Sequence, residues 1–128
     1  MFREIVKYTE LSNQLEVFDI SLNFLEESKC VEIISSLPEQ IKELNLGFNY
    51  VRRRGEQALA AKLSRNFSLQ SLNLQESHLE NIESLCESLK LAGLSGSLKY
   101  INLSNNRLDG ASGSPSVFFE FVRVAKNL

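Results

Sequence analysis

An eleven-residue unit recurs four times along this chain, and its spacing leaves few folds open. Ile41–Val51 reads Ile-Lys-Glu-Leu-Asn-Leu-Gly-Phe-Asn-Tyr-Val, with apolar residues at positions one, four, six and eleven and an Asn at nine. Leu15–Leu25 repeats it with Leu15, Phe18, Ile20, Asn23 and Leu25, and Leu98–Leu108 with Leu98, Ile101, Leu103, Asn106 and Leu108. Leu69–Leu79 keeps Leu69, Leu72, Leu74 and Leu79 but carries Ser77 at position nine. The units begin at residues 15, 41, 69 and 98, at intervals of 26, 28 and 29 residues. A period of this size marks a stack of supersecondary units, each too small to bury its apolar face alone.

Within each unit the side chains alternate, as they do along a strand. Val17–Ser21, Glu43–Gly47, Ser71–Gln75 and Tyr100–Ser104 are therefore expected to be strands. A helix follows each one, so the strands must run parallel. Cys30, Ile33, Ile34 and Leu37 fall at i, i+3, i+4 and i+7 before Pro38, which stops the first helix. Ala58, Leu59 and Leu63 give the inner stripe of the second, Ile82, Leu85, Cys86 and Leu89 that of the third. Phe118, Phe121, Val122 and Ala125 give that of a fourth, after Ser114-Pro115 as cap and first helical residue. Residues 1–14 carry Phe2, Ile5, Val6 and Thr9 at helical spacing and are expected to form an N-terminal capping helix. The Asn at position nine suits a sharp turn after the strand. Its amide offers donors and an acceptor to backbone groups that have left the ladder. Asn23, Asn49 and Asn106 can form such a series, and Ser77, shorter and with one donor, is expected to break it.

Length and charge narrow the function. With 128 residues the chain is a single domain, 1–128, and its net charge of -2 argues against nucleic-acid binding. No apolar run approaches the ~20 residues of a membrane helix. Met1–Lys7 lacks the apolar core of a secretory signal, and two cysteines make no disulfide framework. The expected location is cytoplasmic, or outside the cell without a recognisable signal. Nothing resembles a phosphate loop or a carboxylate pair, so no cofactor is expected.

The four units in register resemble the leucine-rich repeat family, whose consensus is L-x-x-L-x-L-x-x-N-x-L. Intervals of 28 and 29 with a full helix in each, and the passage Asn49–Leu59, are similar to the ribonuclease-inhibitor subtype. The resemblance implies an α/β solenoid of about four repeats, with a parallel sheet on the concave face and helices on the convex face. It implies that the chain is not an enzyme and that its partner is another protein. This chain departs from the pattern in its short first repeat, in Ser77 and in having no recognisable C-terminal cap.

On the concave face the outward positions form rows. Asp19, Asn45, Asn73 and Asn102 make the middle row, flanked by Val17, Glu43, Ser71 and Tyr100 on one side. On the other lie Ser21, Gly47, Gln75 and Ser104, then Leu22, Phe48, Glu76 and Asn105. The expected partner-binding residues are Asp19, Glu43, Asn45, Phe48, Ser71, Asn73, Gln75, Tyr100, Asn102 and Asn105. Phe48 and Tyr100 are the aromatic anchors among them. Cys30 and Cys86 lie on apolar stripes and read as core rather than nucleophiles. His78 stands alone at a turn. The run Arg52-Arg53-Arg54 reads as a solvated turn near Glu56; its alternative is an anion contact in a regulator of another enzyme, such as a GTPase activator. A structural segment of a larger multidomain protein is the third reading. The aromatic fourth helix and the unpaired edge of the fourth strand lead to an expected weak homodimer through the C-terminal end.

Overall fold

A computed structural model describes residues 14–65, 68–80, 83–95 and 97–106. The expected capping helix, Ile82, and everything from residue 107 onward, including the fourth helix and the proposed C-terminal contact, lie outside the described residues.

Strand and helix alternate as the period requires: β1 (Val17–Asp19), α1 (Glu27–Ser36), β2 (Glu43–Asn45), α2 (Arg52–Leu63), β3 (Ser71–Asn73), α3 (Glu83–Ser95) and β4 (Tyr100–Asn102). The four strands form one parallel sheet in sequence order. Val17 pairs with Glu43, Glu43 with Ser71 and Ser71 with Tyr100, so equivalent positions of successive repeats stand side by side. On the other side of the core α1 packs on α2, and α2 on α3. Position one is buried in repeats two to four by Ile41, Leu69 and Leu98, and position four in repeats two and three by Leu44 and Leu72. The helices close this core with Cys30, Ile33, Ile34, Leu37, Leu59, Leu63, Leu85, Cys86 and Leu89. Leu15, Phe18 and Ile20 of the first repeat are only partly buried against it.

The strands are three residues long, two shorter than the alternation suggests, and the middle row explains why. The Oδ1 atoms of Asp19, Asn45, Asn73 and Asn102 accept the backbone N–H two residues on, at Ser21, Gly47, Gln75 and Ser104, over 2.8–3.1 Å. Each side chain thereby takes a donor from the ladder and curls the chain into an Asx turn. The ladder still reaches across the bend. Leu22 N–H donates to the Gly47 carbonyl, Phe48 N–H to Gln75 and Glu76 N–H to Ser104. Those donors and Asn105 are left-handed, at φ 60, 58, 47 and 57 respectively. No glycine marks this position, and the pattern of apolar residues gives no sign of it.

Position nine then anchors the turn. The Asn49 Nδ2 donates to Ile20, Leu46 and Gly47 carbonyls, and its Oδ1 accepts Leu25 N–H. Asn106 does the same to Leu74, Leu103 and Ser104 carbonyls, with Oδ1 accepting both Ser77 and Leu79 N–H. Ser77 thins this series rather than breaking it. Its buried hydroxyl reaches the Leu46 and Gln75 carbonyls at 3.4 Å each.

Each helix end has a local cause. At Leu37 the backbone is extended, φ -64 and ψ 143, as the residue before Pro38 must be. Helix α2 begins after Val51, which supplies no side-chain cap, and Arg54 N–H is capped instead by Glu27 Oε1 of α1 at 2.8 Å. Glu56 repeats the device one unit later. It is buried and turns its carboxylate to the Glu80 N–H, so it belongs to the repeat interface. The expected stripe of α2 was also too narrow. Gly55 and Ala60 are buried with Leu59 and Leu63, whereas Ala58 is half-buried.

Two substitutions test this account. Ser77→Asn restores an amide at a position built to take one and is expected to stabilise the fold by about 1 kcal/mol in urea unfolding. A loss of stability would show that the turn has adapted to the hydroxyl. Gly55→Ala ought to help an exposed helix, but here a Cβ would stand 2.5 Å from Val51 Cγ1. The expected outcome is a loss of about 1–3 kcal/mol from overpacking, relieved when Val51→Ala is added.

Candidate protein-binding face

The outer side of the sheet is a shallow trough of about 250 Å³, lined from β1 across to β4. Asp19, Asn45 and Asn73 of the middle row line it, whereas Asn102 and Gln75 lie outside it. Asp19 Oδ2 accepts from Asn45 Nδ2 at 3.1 Å, and Gln75 Oε1 accepts from Asn102 Nδ2 at 3.4 Å. Together with the Asx turns, these bonds hold the polar side chains in one arrangement before any partner arrives. The cost of ordering them on binding is thereby reduced. Hydrogen bonds from the Ser21 hydroxyl and amide, with a smaller contribution from Asn45, hold the Asp19 carboxyl below its ordinary value of 3.8, although slight burial opposes them.

Val17 and Tyr100 stand at the two ends of the flanking row, 55% and 50% exposed, with Glu43 and Ser71 between them. Polar groups in the centre and an apolar side chain at each end make a surface able to seat a protein segment. Tyr100, Glu43, Asn45, Ser71, Asn73 and Asp19 all line this trough. Phe48 does not. It lies on the rim, in a separate pocket with Phe24, Tyr50 and His78, so the two expected anchors do not share a site. Asn105 occupies the same left-handed turn position in the fourth repeat and is exposed.

The arginine run opens α2 with all three side chains exposed. Arg52, left-handed at φ 51, places its guanidinium over the Tyr50 ring at 5.4 Å from the centroid. Glu26 and Glu27 line the same pocket as Arg52 and Arg54, so carboxylates share the space an anion would enter. The cysteines are buried and remote from this chemistry. Burial, assisted by Glu27, pushes the Cys30 thiol up to about 11. Burial and Glu87, opposed by Lys90, push that of Cys86 to about 12. Both are thiols at neutral pH, as core residues. Among the described residues no three of His, Cys, Asp and Glu gather into a metal site, and no helix is long and apolar enough to cross a membrane.

A parallel sheet stacked at one strand per repeat, with a turn amide at position nine in three of the four repeats, gives the chain a leucine-rich repeat type of fold. Residues 97–121 match the leucine-rich repeat family model. No curated protein matches the chain in sequence. Among solved structures, the tropomodulin C-terminal domain of Caenorhabditis elegans is similar, with a TM-score of 0.70 at 13% identity, covering 96% of this chain and 74% of that one. Actin-binding site 2 of leiomodin-1 is also similar, with a TM-score of 0.67 at 17% identity over 98% and 73% of the two chains. At these identities the likeness is one of fold.

The Asp19 cluster has a pH signature. A carboxyl depressed in the folded state contributes stability above its unfolded value, and that contribution is lost as pH falls through the folded value. A carbon-detected titration is expected to place the Asp19 midpoint below 3.8. Asp19→Asn, which keeps an oxygen for Ser21 but no charge, should flatten the acid limb of stability against pH by lowering stability at neutrality and leaving it little changed in acid. A midpoint at or above the ordinary carboxylate value would contradict the hydrogen bonding described.

Proposed function

We propose that this chain is a non-catalytic protein-binding module that seats its partner on the outer face of the parallel sheet. The observation that carries the reading is the trough itself: amide and carboxylate side chains fixed by the backbone they cap, framed by exposed Val17 and Tyr100. A pre-ordered polar floor supplies hydrogen bonds at strand spacing, and the apolar ends supply anchors that exclude water. A trough this shallow encloses too little of a small molecule to hold one tightly, whereas a protein segment can lie along it. The leiomodin-1 domain of the same fold is an actin-binding site, which makes actin the first partner to try.

Cosedimentation with filamentous actin, and binding to monomeric actin by interferometry, test the reading. Binding by the wild-type chain should be lost in the double variant Asn73→Arg, Tyr100→Ala with an unchanged circular dichroism spectrum. Replacing Arg52, Arg53 and Arg54 together by Ala should leave it within about threefold, since exposed charges at a rim contribute little. The reading fails if the double variant binds as the wild type does and a charge reversal on the outer helix face, Glu32→Arg, abolishes binding.

A further inference from the structure

Three successive turns meet on the rim beside the trough and bring four aromatic side chains together. Phe24 comes from the first repeat, Phe48 and Tyr50 from the second, His78 from the third; with Glu76 and Asn49 they line a pocket of about 170 Å³. Phe24 is 64% exposed. Tyr50 and His78 stack at 4.7 Å between ring centroids, tilted by 30°. Inter-repeat hydrogen bonds set these turns: Phe24 N–H to the Phe48 carbonyl, Phe48 N–H to Gln75, Tyr50 N–H to Leu25. The pocket is therefore formed before anything enters it.

From this we propose that the rim pocket is an aromatic cage for a cationic side chain of the protein partner, and specifically for a methylated lysine. The inference rests on the protein-binding reading and deepens it. Aromatic faces are electronegative and attract a diffuse cation, most strongly where several rings converge. Glu76 supplies one carboxylate among the lining residues, which complements the charge. Asn49 supplies little, because its amide is already committed to the Leu25 amide and to three carbonyls. Outside the pocket, Tyr50 already carries one cation, the Arg52 guanidinium over its ring.

The form of the cation follows from hydrogen-bond accounting. A bare ammonium has three donors and loses strong hydration on entry. One carboxylate does not replace that shell. A trimethylated ammonium has no donors, keeps its charge, and covers the rings with methyl groups. The source follows from position. Phe48 and Glu76 stand three residues beyond Asn45 and Asn73, which end β2 and β3 and line the trough, so a segment crossing the sheet in the strand direction leads from the trough toward the pocket. An open pocket of this volume gives a free small cation little enclosure, whereas a lysine tethered to a docked segment gains from its effective concentration.

Short peptides bearing one Nε-trimethyllysine, one unmodified lysine, or the neutral tert-butyl carbon isostere discriminate the proposal by NMR titration of the labelled chain. The trimethylated peptide should bind about fivefold tighter than the neutral isostere, and tighter than unmodified lysine. Its shifts should centre on Phe24, Phe48, Tyr50 and His78. Phe24→Ala and Glu76→Gln should each weaken it at least about threefold with folding intact by circular dichroism. In Asn73→Arg with Tyr100→Ala the preference for the trimethylated over the neutral peptide should persist even as overall affinity falls, which separates this site from the sheet face. Equal affinity for the charged and neutral peptides, or no saturable shift at the four aromatic residues, overturns the proposal. Phe24-dependent cosedimentation with phosphatidylcholine vesicles also overturns it, by giving the cage to a lipid headgroup.

Discussion

Everything in this fold depends on the side chain placed past each strand at position nine, an amide in three of the four repeats. A chain that leaves a parallel strand for a helix must abandon its ladder while still in the interior, and unpaired buried backbone groups are expensive. Asn49 resolves this by serving its own turn and the turn of the preceding repeat with one side chain. The bond to Ile20 spans the repeat boundary, so the residue that closes a turn also glues neighbouring units together. The carboxylates of Glu27 and Glu56 extend the same logic to the helices, each reaching an amide of the next repeat. Stability in such a stack lies in the interfaces between units as much as in the units.

The sequence was most informative where a single geometric need recurs. Apolar residues at positions one, four and six must face the core in every copy, so the apolar pattern alone places Leu44, Leu46, Leu72 and Leu74 inside. The register of all four strands follows from the same alignment, and the structure reproduces it residue by residue. Features that depend on two side chains far apart in sequence were invisible. Glu56 looks like any exposed helical glutamate until Glu80 N–H is seen to need it. Gly55 looks like a helix-weakening residue until Val51 is found in the space a Cβ would fill. The left-handed residues at position eight include Leu22 and Phe48, types that give no local hint of that conformation.

The face was legible in its rows but not in its chemistry. Asp19, Asn45, Asn73 and Asn102 do form one row, yet each spends an oxygen on its own backbone. An Asx turn could have been suspected, because every copy offers Asp or Asn two residues before the bend. The structural role of these residues and the recognition role proposed for them are not alternatives. Tying down Oδ1 fixes the orientation of the remaining polar atoms, so what closes the strand also arms the surface. Tyr100 and Phe48 looked like equivalent anchors in sequence. They differ because position three is on a strand and position eight is in a left-handed turn, which swings the ring to the rim.

Specific recognition requires that the repeats differ, and the differences concentrate on that rim. The first and third units place a second left-handed residue at position ten, Phe24 and His78. The second unit defers it to position twelve, at Arg52. Tyr50, at position ten, is thereby left out of the left-handed series and stands between two neighbours: His78 stacks with it and Arg52 lies over its ring. Core positions cannot vary this way, since each must fill the same volume against its neighbours. Turn positions can, because the ladder and the position-nine amide already satisfy the backbone beneath them. The scaffold thus keeps regularity inside, where stability comes from, and confines irregularity to the turns.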